Sequence, residues 1–169
     1  MDKKKRFKQI IKHLESSSGK NMDHDTINSG INSGQTAGGA YGIVPNSLKD
    51  FVGQARNRNY ILPEDLSNVK DLSDEEITER LNTDRQFDED AADLGSELLL
   101  QKAGQDESKA AKGWRRGHNQ SFKRLDEKKL MEDPYVRAYR KIASEQAMDD
   151  PEVKEERFQK LRQYFNKGE

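Results

Sequence analysis

Glu15 is followed directly by Ser16-Ser17-Ser18-Gly19. Ser and Gly favour non-helical backbone, so this run stops the helix before it and leaves Glu15 in the last turn. A carboxylate there meets the negative end of the helix dipole, which disfavours its charged form by roughly 0.3–1 kcal/mol. That is the sign required of a carboxylic acid that must keep its proton near neutral pH and give it to a leaving oxygen, as in glycoside cleavage, while the plain alternative is a solvated glutamate at a helix end. A second stretch follows, Gly38-Gly39-Ala40-Tyr41-Gly42-Ile43-Val44-Pro45-Asn46-Ser47. Its glycines permit close approach of backbone to a ligand, or serve as ordinary turns.

Glycoside cleavage also needs a group that stabilises the oxocarbenium-like carbon, either another carboxylate or the substrate's own N-acetyl group. Asp23, Asp25 and Asp50 are candidates, and spacing prefers none of them. Tyr41 and Trp114, the only tryptophan, each suit stacking on the apolar face of a sugar or packing in a core. His24 suits orienting the loop, touching substrate, or a plain surface position. His13, His24 and His118 are too scattered for a zinc site, and no His-Glu-x-x-His is present. No metal and no cofactor is expected. With no cysteine, disulfides and thiolate sites are excluded.

The pattern resembles the lytic transglycosylase and goose-type lysozyme superfamily, especially its short phage versions. In that family a helix ends in Glu-Ser, and Glu15-Ser16 matches. A Gly-aromatic-Gly-[Leu/Ile] loop lines the groove, and Tyr41-Gly42-Ile43 fits it. Pro45 and Ser47 match the entry to the next helix. Ala111-Lys112-Gly113-Trp114-Arg115-Arg116-Gly117 resembles the segment that sets an aromatic on the cleft floor, with Arg115 where the family has Asn. Asn21-Met22-Asp23-His24 resembles a phage Asn-x-x-His pattern. The usual Met and Gln after the loop's Gly-Leu are missing here, where Gly42-Ile43 runs to Val44-Pro45. The resemblance covers about residues 3–119.

It implies peptidoglycan cleavage between N-acetylmuramic acid and N-acetylglucosamine. Glu15 would be the catalytic acid/base, and Ser16, His24, Tyr41, Gly42, Ile43 and Trp114 would bind substrate. Glycan strands are the expected partner, with other tail or baseplate proteins of a phage particle. The expected location is a phage virion, or the host cytoplasm before release, acting on the periplasmic wall. The alternative is a structural or adaptor protein of a phage tail or baseplate that keeps a lysozyme-like scaffold without activity.

Elements must place these residues. Phe7, Ile10, Ile11 and Leu14 recur at helical spacing, with Lys4, Lys5, Lys8 and Lys12 opposite. Residues 20–42 are rich in Asn, Ser, Gly and Thr and predict a long loop with short strands at most. Asn46 is the expected cap of the next helix. Pro63 bars a continuous helix through 56–72, and Ser73 to Glu76 forms a capping box. Phe87, Ala91, Leu94, Leu98 and Leu99 predict a central helix over 85–102. Asp106 opens another, and Asp133-Pro134 and Asp150-Pro151 each read as a cap followed by Pro at the first helical position. Tyr135, Tyr139 and Ile142 mark one late helix, and Val153, Phe158, Leu161 and Phe165 the last.

The expected fold is therefore mainly α: a lysozyme-like helical domain over 1–119, with a loop or small β region. A helical extension over 120–169 offers Tyr135, Arg137, Tyr139, Arg140, Arg157 and Arg162 as docking anchors. Charged residues make up 36% and hydrophobic residues 31%, which predicts a small core under charged helices. The net charge of −1 gives no general pull toward nucleic acid or an anionic membrane, and neither is an expected partner. No apolar run spans a bilayer, and the basic start lacks the apolar stretch of a secretion signal.

Overall fold

The computed structural model describes residues 2–28, 30–117 and 122–149. The expected cap at Asp150-Pro151, the last helix, Arg157, Arg162 and His118 lie outside the described residues. Seven α-helices are described: α1 (Lys3–Ser16), α2 (Pro45–Asn57), α3 (Asp74–Thr83), α4 (Arg85–Lys102), α5 (Glu107–Arg116), α6 (Glu127–Glu132) and α7 (Pro134–Asp149). Among the described residues there is no β-strand, and the 20–42 loop holds two isolated bridges, Thr26 to Thr36 and Gly38 to Ile43. The architecture is mainly α, as the helical periodicities require.

Each helix starts where a short polar side chain or a proline meets its free N–H groups. Asp2, Ser73, Asp84, Asp106 and Asp126 accept from backbone N–H groups in the first turns of α1, α3, α4, α5 and α6. The capping box of Ser73 and Glu76 is present in both directions. For α2 the expectation of an Asn46 cap is corrected: the helix starts at Pro45, with Val44 as its cap. Proline's fixed φ and missing N–H suit the first helical position, so it sets the start. The Asn46 N–H donates instead to Gln35 Oε1 at 3.0 Å, tying α2 to the preceding loop.

α4 is the central helix, packed by α1, α2, α3 and α5. Phe87, Ala91, Ala92, Leu94, Leu98, Leu99 and Leu100 are buried along it. Against them lie Phe7, Ile10 and Ile11 of α1, Leu48, Phe51 and Val52 of α2, and Ile77 and Leu81 of α3. Two short 3-10 turns, Glu64–Leu66 and Val69–Asp71, bury Leu66 and Val69 beneath the link from α2 to α3.

The helical extension expected after residue 119 includes α7, which packs on α1, α5 and α6. Asp133 caps α7 through the Tyr135 N–H at 2.9 Å and takes a two-pronged bond from Arg116 of α5, both arms at 3.1 Å. Val136 and Tyr139 are fully in the core, and the Tyr139 ring lies 5.7 Å from that of Phe7. The Tyr139 hydroxyl donates to Glu107 Oε1 at 2.7 Å, and Arg6 of α1 forks onto the same carboxylate. Tyr135 and Tyr139 therefore face inward, not toward a docking partner. Of the other expected anchors, Arg140 binds Ser108 and Glu127, and Arg137 binds the Met131 carbonyl. No described helix is long and apolar enough to cross a membrane.

Candidate functional site

Glu15 ends up where the helix stop predicts, in the last turn of α1, which closes on Ser17 in the left-handed conformation. Its side chain is only 8% exposed. Tyr135 of α7 donates its hydroxyl to Oε1 at 2.9 Å. Arg115 of α5 sets Nη1 3.6 Å from Oε2, with its guanidinium 5.9 Å from the Tyr135 ring centre. Arg115 is the most exposed of these neighbours, at 53% of its side chain.

The third wall is backbone. A Cβ placed on Gly42 would fall 2.6 Å from Glu15 Oε2, and φ is +64° there. Close approach and positive φ both demand glycine at this position. Burial pushes the Glu15 carboxyl above its ordinary range, against the opposing pull of the Tyr135 bond and of the charges on Arg115 and His24. Among the described residues, the groups acting on Glu15 are thus a phenol, a guanidinium and an imidazole, and none of them is a carboxylate.

The loop that carries Gly42 folds as a tight turn closed by paired backbone bonds between Gly38 and Ile43, at 2.9 and 3.1 Å. Inside it, each polar backbone group from Gly39 N to Ala40 O has a side-chain partner. The Gly39 N–H donates to Asn82 Oδ1 at 2.7 Å, and the Gly39 carbonyl lies 2.8 Å from His24 Nε2. A carbonyl only accepts, so His24 carries its proton on Nε2. The Ala40 N–H donates to Asp88 Oδ2 at 2.9 Å, and the Ser16 hydroxyl sits 2.6 Å from the Ala40 carbonyl. The Trp114 indole N–H then donates to the Tyr41 carbonyl at 3.0 Å.

This geometry decides what the sequence left open for several residues. Ser16 is buried and ties the end of α1 to the loop, also accepting from the Gly19 N–H at 2.9 Å. His24 orients the loop. Tyr41 is buried, with its hydroxyl 2.9 Å from both oxygens of Glu89 and its ring beside Lys8 and Lys12. Its ring face is therefore not open for stacking on a sugar. Ile43 is buried in the core. Trp114 is half-buried, stacked on Phe51 at 6.3 Å and edge-on to Phe7 at 6.0 Å. Among the expected binding positions, Gly42 lies against the Glu15 carboxyl. Asp23, Asp25 and Asp50 are exposed, and none is among the charges acting on Glu15.

A cleft of about 370 Å³ opens along the seam of α1 and α4, lined by Lys4, Lys8, Lys12, Tyr41, Glu89 and Asp93 among others. Glu15 does not line it. Because Tyr41, Lys4, Lys8 and Lys12 there are already partnered by carboxylates, the buried Glu15 is the better candidate for chemistry.

Three residues of the site escape sequence reasoning. Asn82, Asp88 and Tyr135 reach the loop or Glu15 across 43, 48 and 120 positions of chain. Only Tyr135 left a trace, as the first aromatic of a helical stripe. In comparisons with family models, curated proteins and solved structures, no match to this chain was found.

Proposed function

We propose that this protein cleaves the glycan strands of peptidoglycan between N-acetylmuramic acid and N-acetylglucosamine, with Glu15 as the acid and then the base. The observation that carries the reading is a single carboxylic acid, buried at a helix end against a glycine backbone, where burial pushes its carboxyl above the ordinary range. Such a group can deliver a proton to the glycosidic oxygen as the bond to the anomeric carbon breaks. The Glu15 carboxylate so formed would then take the proton from the 6-hydroxyl of the same muramic residue as that oxygen closes onto the anomeric carbon. The product is a 1,6-anhydro ring, and no water is consumed.

A retaining hydrolase places a second carboxyl about 5–5.5 Å away, and an inverting one about 6.5–9.5 Å away. Among the described residues the groups that act on the Glu15 carboxyl are Tyr135, Arg115 and His24, with no carboxylate among them, which favours the transglycosylase route over hydrolysis. Tyr135 would orient the carboxyl, and Arg115 would stabilise the carboxylate once the proton has left.

The test is turbidity loss of purified peptidoglycan with wild type and with Glu15→Gln. A general acid contributes about 10²–10⁴-fold, so the variant should lose at least two orders of magnitude of lysis while unfolding at the wild-type temperature. Undiminished lysis by Glu15→Gln would end this reading. A second reading is a tail or baseplate structural or adaptor protein that keeps the scaffold without activity. The tight cover over Glu15, whose side chain is 8% exposed, favours it. A folded wild type that leaves peptidoglycan intact would decide for it.

A further inference from the structure

The Glu15 wall formed by Gly42 is only as fixed as the loop that carries it. That loop has no strand neighbours, yet its turn is gripped from every side. Asn82 comes from α3, Asp88 from α4, Trp114 from α5, Ser16 from α1 and His24 from the preceding loop. Asp88 is the most committed of these. It is 5% exposed, its Oδ2 accepts from the Ala40 N–H, and its buried Oδ1 has no hydrogen-bond partner among the described residues. A buried carboxylate oxygen without a partner is costly, and proteins keep such a group where geometry demands it. The demand here is steric as well. A Cβ on Gly39 would fall 2.1 Å from Asp88 Oδ1, and φ at Gly39 is +74°. The glycine exists so that this carboxylate can lie flat against the turn.

We propose that Asn82 and Asp88 are positioning residues for Glu15: their paired grip on the N–H groups of Gly39 and Ala40 presses Gly42 against the Glu15 carboxyl and keeps water from it. Neither residue touches Glu15. The catalytic consequence rests on the reading of Glu15 as the acid, but the structural one does not. When either acceptor is lost, the turn loosens, Gly42 withdraws and Glu15 is hydrated, so its charged form becomes easier to reach.

The groups facing Glu15 are Tyr135 from α7, Arg115 from α5 and His24 from the loop. Those facing Asp88 are Glu89 on its own helix, Lys12 from α1 and His24, together with the Ala40 N–H. All of these remain in the variants proposed, so a change in Glu15 reports on the loop.

The experiment is a carbon-13 NMR titration of the Glu15 carboxyl in the full chain, with the signal assigned by its loss in Glu15→Gln. Asn82→Ala and Asp88→Ala should both move the Glu15 midpoint down toward the ordinary carboxylate range. Asn82→Asp and Asp88→Asn each keep an acceptor for the backbone N–H, and should hold the midpoint near wild type. These two change the local charge in opposite directions, so agreement between them assigns the effect to the acceptor and not to charge. Asn82 is exposed, so Asn82→Ala decides the matter even where Asp88→Ala fails to fold.

On peptidoglycan, the alanine variants should lose roughly tenfold in kcat at neutral pH with KM within about twofold. An unmoved Glu15 midpoint in folded Asn82→Ala would overturn the proposal. So would Asp88→Asn moving as far as Asp88→Ala. If wild type shows no lysis, the function reading fails, while the titration still tests the clamp.

Discussion

Helix α1 carries two kinds of charge, and they could hardly be treated more differently. Along its exposed side, Lys4, Lys8 and Lys12 form a ladder with Asp93, Glu97 and Glu89 of α4, at 3.3–3.6 Å. Every member keeps contact with water. At the end of the same helix, Glu15 is closed in by Tyr135, Arg115 and Gly42, and its carboxyl is pushed up. In the ladder, charges are abundant, mutually neutralised and solvated, an arrangement that contributes little to stability. At the helix end a single acid has been taken out of water. Burial, not the presence of charge, separates a surface carboxylate from a candidate catalytic one.

The sealed end exists because α7 folds over it, so breaking α7 is the harshest way to erase the contrast. Tyr139→Ala removes a fully buried ring against Phe7 and the hydroxyl bond to Glu107. It should cost about 3–5 kcal/mol, read from denaturant unfolding. It should also return Glu15 toward the ordinary carboxylate range. A loss below about 1 kcal/mol would mean that α7 is a detachable tail after all.

Arg115→Ala sharpens the comparison without breaking it. Arg115 favours the Glu15 carboxylate, so its loss should raise the Glu15 midpoint further and move the alkaline limb of the activity profile to higher pH. A limb that moves down, or not at all, would show that the 3.6 Å contact exerts no pull in solution.

Stability should carry the same signature. The folded state raises the Glu15 carboxyl above its unfolded value, so the fold binds the proton more tightly than the unfolded chain. The contribution of Glu15 to stability is therefore full below the ordinary carboxylate value. It falls as pH rises through the window up to the raised value. Denaturant unfolding of wild type against Glu15→Gln should show wild type losing ground across that window. A constant difference would contradict the burial effect.

The smallest expected change is at the ladder. Asp93 is half-exposed and serves both Lys4 and Lys8. Asp93→Asn should shift stability by less than about 1 kcal/mol and leave the Glu15 titration where it was.

Much of the fold is legible in the chain because it rests on local periodicity. The stripe Phe7, Ile10, Ile11 and the stripe from Phe87 to Leu99 name the two helices at the heart of the core. The Ser-Gly run after Glu15 names the helix end that makes that carboxylate unusual. The rest is tertiary. Asn82 and Asp88 look like ordinary polar residues near the end of one helix and the start of the next, and only the folded turn of Gly39 and Ala40 gives them work. Residues 120–169 read as a helical extension because charge is dense from Ser121 to Glu132. Yet Tyr135, Val136 and Tyr139 already form one apolar face, and that face closes over α1 and α5. Asn46 was outcompeted as a cap by the proline beside it, a contest that sequence motifs alone do not rank.

The most direct test of the central claim is mass spectrometry of the products from purified peptidoglycan treated with wild type. A lone acid at Glu15 that turns base after cleavage predicts 1,6-anhydro-muropeptides, absent from the Glu15→Gln digest. Products with free reducing ends would contradict it, and would require a second carboxylate or an activated water beside Glu15.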